Sequence, residues 1–164
     1  MKRSWLRATL LLLASASLVV WVWALLVPRS FYDDFPLPGR DWVSTLGPYN
    51  EHLVRDVGAL NLALGVLLAT AAILLERRLV QASLLAWLIY AVPHFVFHLV
   101  TGHAFSLGDN VANMILLGIA VFLPLVLLSS VYAASERTRQ RRLKRGSNEI
   151  RVSAGQALWR RRDG

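Results

Sequence analysis

PYNEHLVRDVG, residues 48–58, leads directly into the apolar segment Ala59–Leu75, and the rest of the sequence is best interpreted outward from this junction. It places four titratable groups within six residues at the start of a predicted membrane-spanning helix: Glu51, His52, Arg55 and Asp56. Asn61 follows about one helical turn further on. A helix that only crosses a bilayer does not need this mixture, because ionisable side chains are costly in hydrocarbon. The junction is therefore the first candidate for a functional site.

The composition is too apolar for an ordinary soluble domain. Of the 164 residues, 55% are hydrophobic and only 17% are charged, whereas about a quarter of the residues in soluble domains are charged. Several apolar runs reach about twenty residues, the length that crosses a hydrocarbon core of ~30 Å. The chain has no cysteine, which excludes disulfides and thiolate metal ligands. These features predict one all-α, integral membrane domain.

We predict a four-helix bundle in residues 1–132, with spans at about 8–27, 56–75, 79–100 and 109–132. A loop covers residues 28–55, and we expect the basic tail, 133–164, to be partly disordered. The first span has a competing interpretation as a signal peptide, since Ala14-Ser15-Ala16 resembles a cleavage site. The apolar run continues to Val27 and exceeds a typical signal-peptide core, so we interpret it as an uncleaved span.

The distribution of Lys and Arg predicts the orientation of the bundle. Basic residues concentrate at the N-terminus, in the turn at Arg77-Arg78 and in the tail, which carries ten of them between Arg137 and Arg162. Both termini are therefore expected in the cytoplasm, with the loop 28–55 on the outer side of the cytoplasmic membrane. The tail is expected to contact anionic lipid heads. Nucleic-acid binding is not expected despite the net charge of +8, because no recognition module and no interleaved stacking aromatics are present.

Helical angles sort the polar residues of the second span into two groups. One face combines polar and small residues: Glu51, Arg55, Gly58, Asn61, Gly65, Ala69 and Ala72. Small residues on one face allow helices to approach closely in lipid, so this face is the predicted packing seam and its polar members should point inward. His52 and Asp56 form an i,i+4 pair on the flank of the seam.

The third and fourth spans carry their own polar stripes. On the third span the stripe comprises Ser83, Trp87, Tyr90, His94, Phe97, His98 and Thr101. Pro93 lies in the interior of this helix and should free a backbone carbonyl near His94. On the fourth span Asp109, Asn113, Ala120 and Pro124 share a face.

The polar residues of these three spans lie at a similar depth, in the outer third of the predicted bilayer. We therefore predict one outward-facing polar pocket, formed by Glu51, His52, Arg55, Asp56, Asn61, Tyr90, His94, His98, Asp109 and Asn113. Each residue also has a structural interpretation. Glu51 and Arg55 can form an ion pair at a helix start, Asp109 can cap the fourth helix, and the two asparagines can hydrogen-bond between helices.

The spacing of His94 and His98 also permits a metal site. Two imidazoles at i,i+4 lie on one helical face and suit a divalent metal with carboxylates from neighbouring helices. Asp56 is the predicted third ligand, with Glu51, His52 and Asp109 as alternatives. The pattern lacks the glutamate of the H-E-x-x-H motif, so the spacing alone does not define a metalloenzyme.

Three segments resemble a known group of membrane proteins: FYDDFP at 31–36, PYNEHLVRDVG at 48–58 and PHFVFH at 93–98. They are similar to small actinobacterial four-helix membrane proteins that share their general plan with the DoxX-like families. The resemblance covers about residues 30–128 and leaves out the basic tail. It implies a four-helix bundle of the cytoplasmic membrane and no particular reaction, so it assigns no catalytic residue.

Three hypotheses for the function follow from the sequence. The first is a membrane protein whose polar pocket binds a small ligand, in an accessory role and with a second copy or another subunit as partner. The second is a metal-dependent membrane enzyme that uses His94 and His98. The third is a structural membrane partner without a pocket. No nucleophile elbow, phosphate loop or dinucleotide fingerprint is present, which favours a binding protein over an enzyme.

Overall fold

The computed structural model describes the backbone of residues 3–160 and the side chains of residues 3–133, 136 and 140. Every regular element in this part of the chain is helical: α1 Arg3–Leu26, α2 Pro28–Asp34, α3 Glu51–Leu74, α4 Arg77–Thr101 and α5 Leu107–Arg160. Two short 3₁₀ turns occur at Ser44–Leu46 and Gly102–Ala104. Four segments are long and apolar enough to cross a membrane: Arg3–Leu26, Glu51–Leu74, Arg77–Ala104 and Leu107–Ala133. The predicted all-helical class is confirmed.

The ends of α3 are set by local capping groups. Asn50 precedes the helix, and its side-chain oxygen accepts a hydrogen bond from the backbone N–H of Leu53 at 3.2 Å. This cap lets α3 begin at Glu51, earlier than the predicted start at Asp56. At the other end Leu75 adopts the left-handed conformation, with φ at 51°, and closes the last turn. The helix α4 then begins at Arg77, so the two basic residues predicted in the turn belong to its first turn.

Helices α1 and α3 run antiparallel and approach each other closely through glycines. A Cβ atom placed on Gly58 would lie 2.8 Å from the backbone nitrogen of Leu25, and one on Gly65 would lie 3.2 Å from the Cβ of Ser17. We call this contact the α1–α3 seam. The buried residues of α3 on the predicted face are Gly58, Asn61, Gly65 and Ala72. The small side chains of α3 therefore form the packing surface that their periodicity predicted.

An arginine at the start of each of these helices bonds to the end of the other. The Nε of Arg7 donates to the carbonyl of Ala72 at 3.0 Å, and Arg55 donates to the carbonyl of Leu25. Both carbonyls lie in the last turn of a helix, where intrahelical donors are missing and positive charge is favourable. The two arginines therefore satisfy backbone groups at opposite ends of the α1–α3 seam.

The prediction that Glu51 and Arg55 point inward is wrong. The two side chains pair with each other at 2.8 Å and keep 55% and 44% of their surface exposed. The two side chains are exposed rather than inward because they lie at the start of α3. Arg55 extends past the end of the seam to reach the last turn of α1, and Glu51 follows it on the outside of the helix.

The contact between α4 and α5 uses large side chains instead of small ones. The indole Nε1 of Trp87 donates to the carbonyl of Ala120 at 2.7 Å. That carbonyl lacks its helical partner, because the residue four positions later is the buried Pro124, which has no N–H. The rings of Phe95 and Phe122 meet edge to face at 6.4 Å. An aromatic side chain of one helix thus repairs the hydrogen-bond ladder of the other.

The loop between α1 and α3 is ordered by its own aromatic residues. Phe31 of α2 is buried against Ala24 and Val54, and Trp23 and Phe35 pack against this cluster. At the surface, the guanidinium of Arg29 lies 4.9 Å from the ring centre of Tyr49. It also donates to Asp33 at 2.7 Å, and this hydrogen bond together with the negative charge raises the pKa of Arg29. The loop is therefore packed against α1 and α3 through these aromatic side chains.

The helix α5 continues to Arg160, whereas we expected the tail after the fourth span to be partly disordered. The sequence has no proline after Pro124, and residues 133–164 contain nine Arg and four Ala, both of which favour a helix. Residues 161–164 of the predicted tail lie outside the described part of the chain. The chain divides into two compact units between Leu128 and Ser129. The candidate site lies within the first of these units.

Candidate functional site

Four ring side chains on α4 form a continuous column. Tyr90 and His94 are stacked, with ring centres 5.5 Å apart and planes at 14°. His94 and His98 meet edge to face at 4.8 Å, and Trp87 contacts Tyr90 at 6.2 Å. The spacing of three or four residues places all four rings on one helical face, as the sequence predicted. We call Trp87, Tyr90, His94 and His98 the α4 ring column.

At its His98 end the column is joined to α5 by a buried hydrogen bond between two side chains. The side-chain nitrogen of Asn113 lies 2.8 Å from Nδ1 of His98. Both residues are buried, with 3% and 7% of their surface exposed. Buried polar groups are normally paired in this way, since an unpaired one carries a desolvation cost. The structure therefore brings together the predicted polar residues of the third and fourth spans.

Two aromatic residues from outside α4 cover the His98 end of the column. The ring of Phe105 stacks on His98 at 5.9 Å, with planes at 21°. Trp42, from the loop, packs edge to face on Phe105 at 6.4 Å and is itself buried. A loop that lies far away in sequence thus closes one end of the column.

Asp109 holds this part of the loop in place. Its carboxylate accepts hydrogen bonds from Arg40 at 2.7 Å, from the indole of Trp42 at 3.0 Å and from the hydroxyl of Ser106 at 2.6 Å. Ser106 also accepts the backbone N–H of Asp109 at 3.2 Å, which caps the start of α5. We call these four residues the Asp109 anchor. Ser106 is therefore the cap of α5, and Asp109, predicted as the cap, anchors the loop through its carboxylate.

His94 differs from the other polar residues of the column. Its side chain is half-buried between Tyr90 and His98, and no residue in the described part of the chain hydrogen-bonds to its imidazole. The fully buried polar side-chain atoms without a partner in the same residues are Ser17 Oγ, Trp21 Nε1 and Asn110 Oδ1. The ring nitrogens of His94 are absent from that set and are therefore reachable from outside. The column thus offers one unpaired, accessible imidazole.

The predicted residues on α3 do not join this site. His52 and Asp56 pair with each other at 3.0 Å and are largely exposed, at 81% and 61%. Asn61 is buried, but its amide donates to the carbonyl of Val57 on its own helix at 2.9 Å. Of the predicted polar residues, the structure therefore brings His98 of α4 and Asn113 of α5 together, while those of α3 form contacts elsewhere.

The predicted metal ligands His94, His98 and Asp56 are not assembled. Across residues 3–133, no three His, Cys, Asp or Glu side chains come close enough to hold a metal ion. Asp56 bonds to His52, and the carboxylate of Asp109 is taken up by its anchor. The α5 side chain that meets His98 is the amide of Asn113 rather than a carboxylate.

Sequence reasoning missed Arg40, Trp42, Phe105 and Ser106. Ser106 had a readable signal, because Ser followed by Asp at the third position is typical of a helix N-terminus. Arg40 and Trp42 had none, since they lie 69 and 67 residues from Asp109 in sequence. Contacts of this range depend on how the loop folds over the helix ends.

Comparison with known proteins does not assign the chain to a group. No family model matches it, and no curated protein or solved structure is significantly similar to it. The resemblance to actinobacterial, DoxX-like membrane proteins therefore remains a prediction from the sequence. What can be concluded about this site has to come from its own residues.

Proposed function

We propose that this chain is a multi-pass membrane protein that binds a small lipid-soluble molecule at the α4 ring column. The observation that supports the proposal is the half-buried imidazole of His94, which has no hydrogen-bond partner in the described residues. Polar groups in apolar surroundings cost free energy unless they are paired. A ligand that hydrogen-bonds to His94 would remove that cost, and the adjacent rings would contact its apolar surface.

The chemistry of the column indicates the kind of ligand. Binding sites for small molecules combine apolar and aromatic walls with a few polar groups that fix the orientation. Tyr90, in contact with the buried Trp87, provides aromatic surface, while His94 and His98 provide the polar groups. A planar, uncharged molecule with one or two polar atoms fits this combination. The binding residues of the proposal are accordingly Tyr90, His94 and His98, and Asn113 holds His98 in place.

Binding can be measured with naphthoquinone, a planar, lipid-soluble probe that quenches tryptophan fluorescence. Trp87 lies within the column, so a bound probe would quench it, and the chain has no cysteine for the probe to modify. We expect saturable quenching of the detergent-purified protein. Replacement of His94 by Phe should weaken binding about tenfold, the effect of losing one hydrogen bond of about 1.4 kcal/mol.

His103 provides the matched control, because it is exposed and lies outside the column. The His103→Phe variant should bind naphthoquinone as the unmodified chain does. A Trp87→Phe variant should retain binding but lose most of the saturable quenching. If quenching is unsaturable, or if His94→Phe and His103→Phe bind equally well, the proposed site is wrong.

We further propose that the chain resides in the cytoplasmic membrane with both termini in the cytoplasm, on the basis of the Lys and Arg asymmetry. The loop and the covered end of the ring column would then face outward. Since the chain has no cysteine, single Asp41→Cys and Glu76→Cys variants report on one side each. A membrane-impermeant maleimide should label intact cells only through Asp41→Cys. Labelling of Glu76→Cys alone would reverse the orientation.

A further inference from the structure

The hydrogen bond between Asn113 and His98 bears on which ring nitrogen of the imidazole carries the proton. The atom of Asn113 next to Nδ1 of His98 is the amide nitrogen, at 2.8 Å. An amide nitrogen only donates hydrogen bonds, so Nδ1 must accept. In a neutral imidazole the other ring nitrogen is then the donor, so this orientation of the Asn113 amide favours a proton on Nε2 of His98. A doubly protonated ring would place two donors face to face.

The surroundings of His98 leave Nε2 as its available polar atom. Phe105 covers the ring face at 5.9 Å, His94 and Phe97 pack edge to face at 4.8 and 5.6 Å, and Nδ1 is occupied by Asn113. In the described part of the chain Nε2 has no hydrogen-bond partner, and it is not among the fully buried unpartnered atoms. An N–H donor is thus held next to the unpaired imidazole of His94.

We propose that Asn113 is a positioning residue that holds His98 in the Nε2–H tautomer and thereby selects ligands that accept a hydrogen bond. The preferred class is an uncharged, planar ketone or quinone, whose carbonyl oxygen accepts from His98. Ligands that can only donate, such as a pyrrole-type N–H, would meet a second donor at His98 and bind more weakly, because only His94 could then accept from them. This inference rests on the proposed function for its ligand, whereas the tautomer can be tested without any ligand.

Nitrogen NMR of the full chain with isotope-labelled histidine tests the tautomer, because protonated and unprotonated ring nitrogens have well-separated shifts. The chain has four histidines, so replacing the other three in turn assigns the signals. We expect His98 to show an unprotonated Nδ1 and a protonated Nε2. A carboxylate only accepts, so Asn113→Asp should move the proton to Nδ1. The exposed His103 should keep its signals in that variant and serves as the internal control.

Three bicyclic probes of nearly equal shape test the ligand class: indanone can only accept a hydrogen bond, indole can only donate one, and indane can do neither. Titration should shift the Nε2 signal of His98 saturably with indanone, while indole and indane should need at least about tenfold higher concentration, the loss of one hydrogen bond. In Asn113→Asp the order of indanone and indole should reverse. A role of Asn113 in stability alone would not produce that reversal.

The outcomes separate this inference from the proposed function. A protonated Nδ1 in the unmodified chain overturns the tautomer, and that spectrum decides the point even if Asn113→Asp does not fold. Equal binding of indanone and indole overturns the ligand class while leaving binding at the column intact. If none of the probes nor naphthoquinone binds, the proposed function and the ligand class both fail, although the tautomer of His98 can still be correct.

Discussion

The α1–α3 seam and the α4–α5 contact use opposite kinds of side chain. Small residues pack in the seam, and large ones join α4 to α5. Across the seam, Gly58 and Gly65 bring α3 so close to α1 that a Cβ would touch its neighbour. Between α4 and α5, Trp87 and His98 reach across to a carbonyl and an amide. Helices in lipid gain little from burying apolar surface, and therefore associate through close packing or hydrogen bonds. The two pairs represent these two solutions.

The difference explains why the candidate site lies on α4 rather than on α3. Close contact between small residues leaves no room between α1 and α3, and the polar side chains at the start of α3 are directed outward. The large side chains Trp87 and His98 of α4 find hydrogen-bond partners on α5, whereas His94, next to His98 on α4, has none among the described residues. The accessible imidazole of His94 therefore lies on the helix that contacts its neighbour through large side chains.

The strongest test of the seam is an added methyl group at its closest point. Gly58→Ala places a Cβ 2.8 Å from the backbone nitrogen of Leu25, which cannot move aside without shifting α1. We expect a loss of about 3 kcal/mol in the free energy of unfolding, at the upper end of overpacking effects. Gly65→Ala meets the Cβ of Ser17 at 3.2 Å and should cost about 1 kcal/mol. Denaturant unfolding in detergent measures both.

Gly108→Ala is the control for helix propensity, because nothing lies within 4 Å of a Cβ at that position. It should leave the stability unchanged or raise it slightly. If Gly58→Ala is no more destabilising than Gly108→Ala, α1 and α3 are not in the close contact described, and the contrast between the two interfaces disappears.

The stability that Trp87 gives to the α4–α5 contact should depend on Pro124. The α1–α3 seam has no such dependence on a proline. Trp87→Phe keeps an aromatic ring but leaves the carbonyl of Ala120 unpaired, which should cost about 2 kcal/mol. In a Pro124→Ala background the restored N–H can bond to Ala120 within the helix. The cost of Trp87→Phe should then fall below about 1 kcal/mol, a coupling that a double-mutant cycle measures.

Trp5→Phe is the matched control, since Trp5 is half-exposed and lies at the start of α1. It should show no coupling to Pro124→Ala. Equal costs of Trp87→Phe in both backgrounds would mean that the indole does not replace the hydrogen bond that proline removes.

Much of this architecture could be predicted from the sequence because it depends on local patterns. The length of the apolar runs gives the spans, and the periodic glycines of α3 give the face that contacts α1. The spacing of Tyr90, His94 and His98 places them on one face of any helix. The meeting of His98 with Asn113 also follows, because a short connection places the end of one span beside the start of the next.

The remaining features depend on contacts that local patterns do not determine. Asp56 and Asp109 both lie near the start of a span, yet only Asp109 meets loop residues, because Trp42 and Arg40 fold onto α5. Helical angles placed Arg55 on the seam, but a long side chain in a first turn can reach the end of the adjacent helix instead. A charged residue near the start of a span is therefore a candidate site residue, and the tertiary structure determines whether it joins the site.

The smallest effect is expected at Asp56, which the sequence predicted both as a pocket residue and as a metal ligand. Asp56→Asn removes a charge from an exposed pair with His52, and such pairs contribute less than about 0.5 kcal/mol. Naphthoquinone binding should be unchanged, because no contact in the described residues links Asp56 to the α4 ring column.

Asp109→Asn is the matched substitution on α5. It weakens the acceptor for Arg40 and Trp42, and should speed release of the probe by loosening the cover over Phe105 and His98. Stopped-flow fluorescence measures both release rates. If Asp56→Asn alters release as much as Asp109→Asn does, the start of α3 belongs to the site after all, and the division between a closed seam and an open α4–α5 face is incorrect.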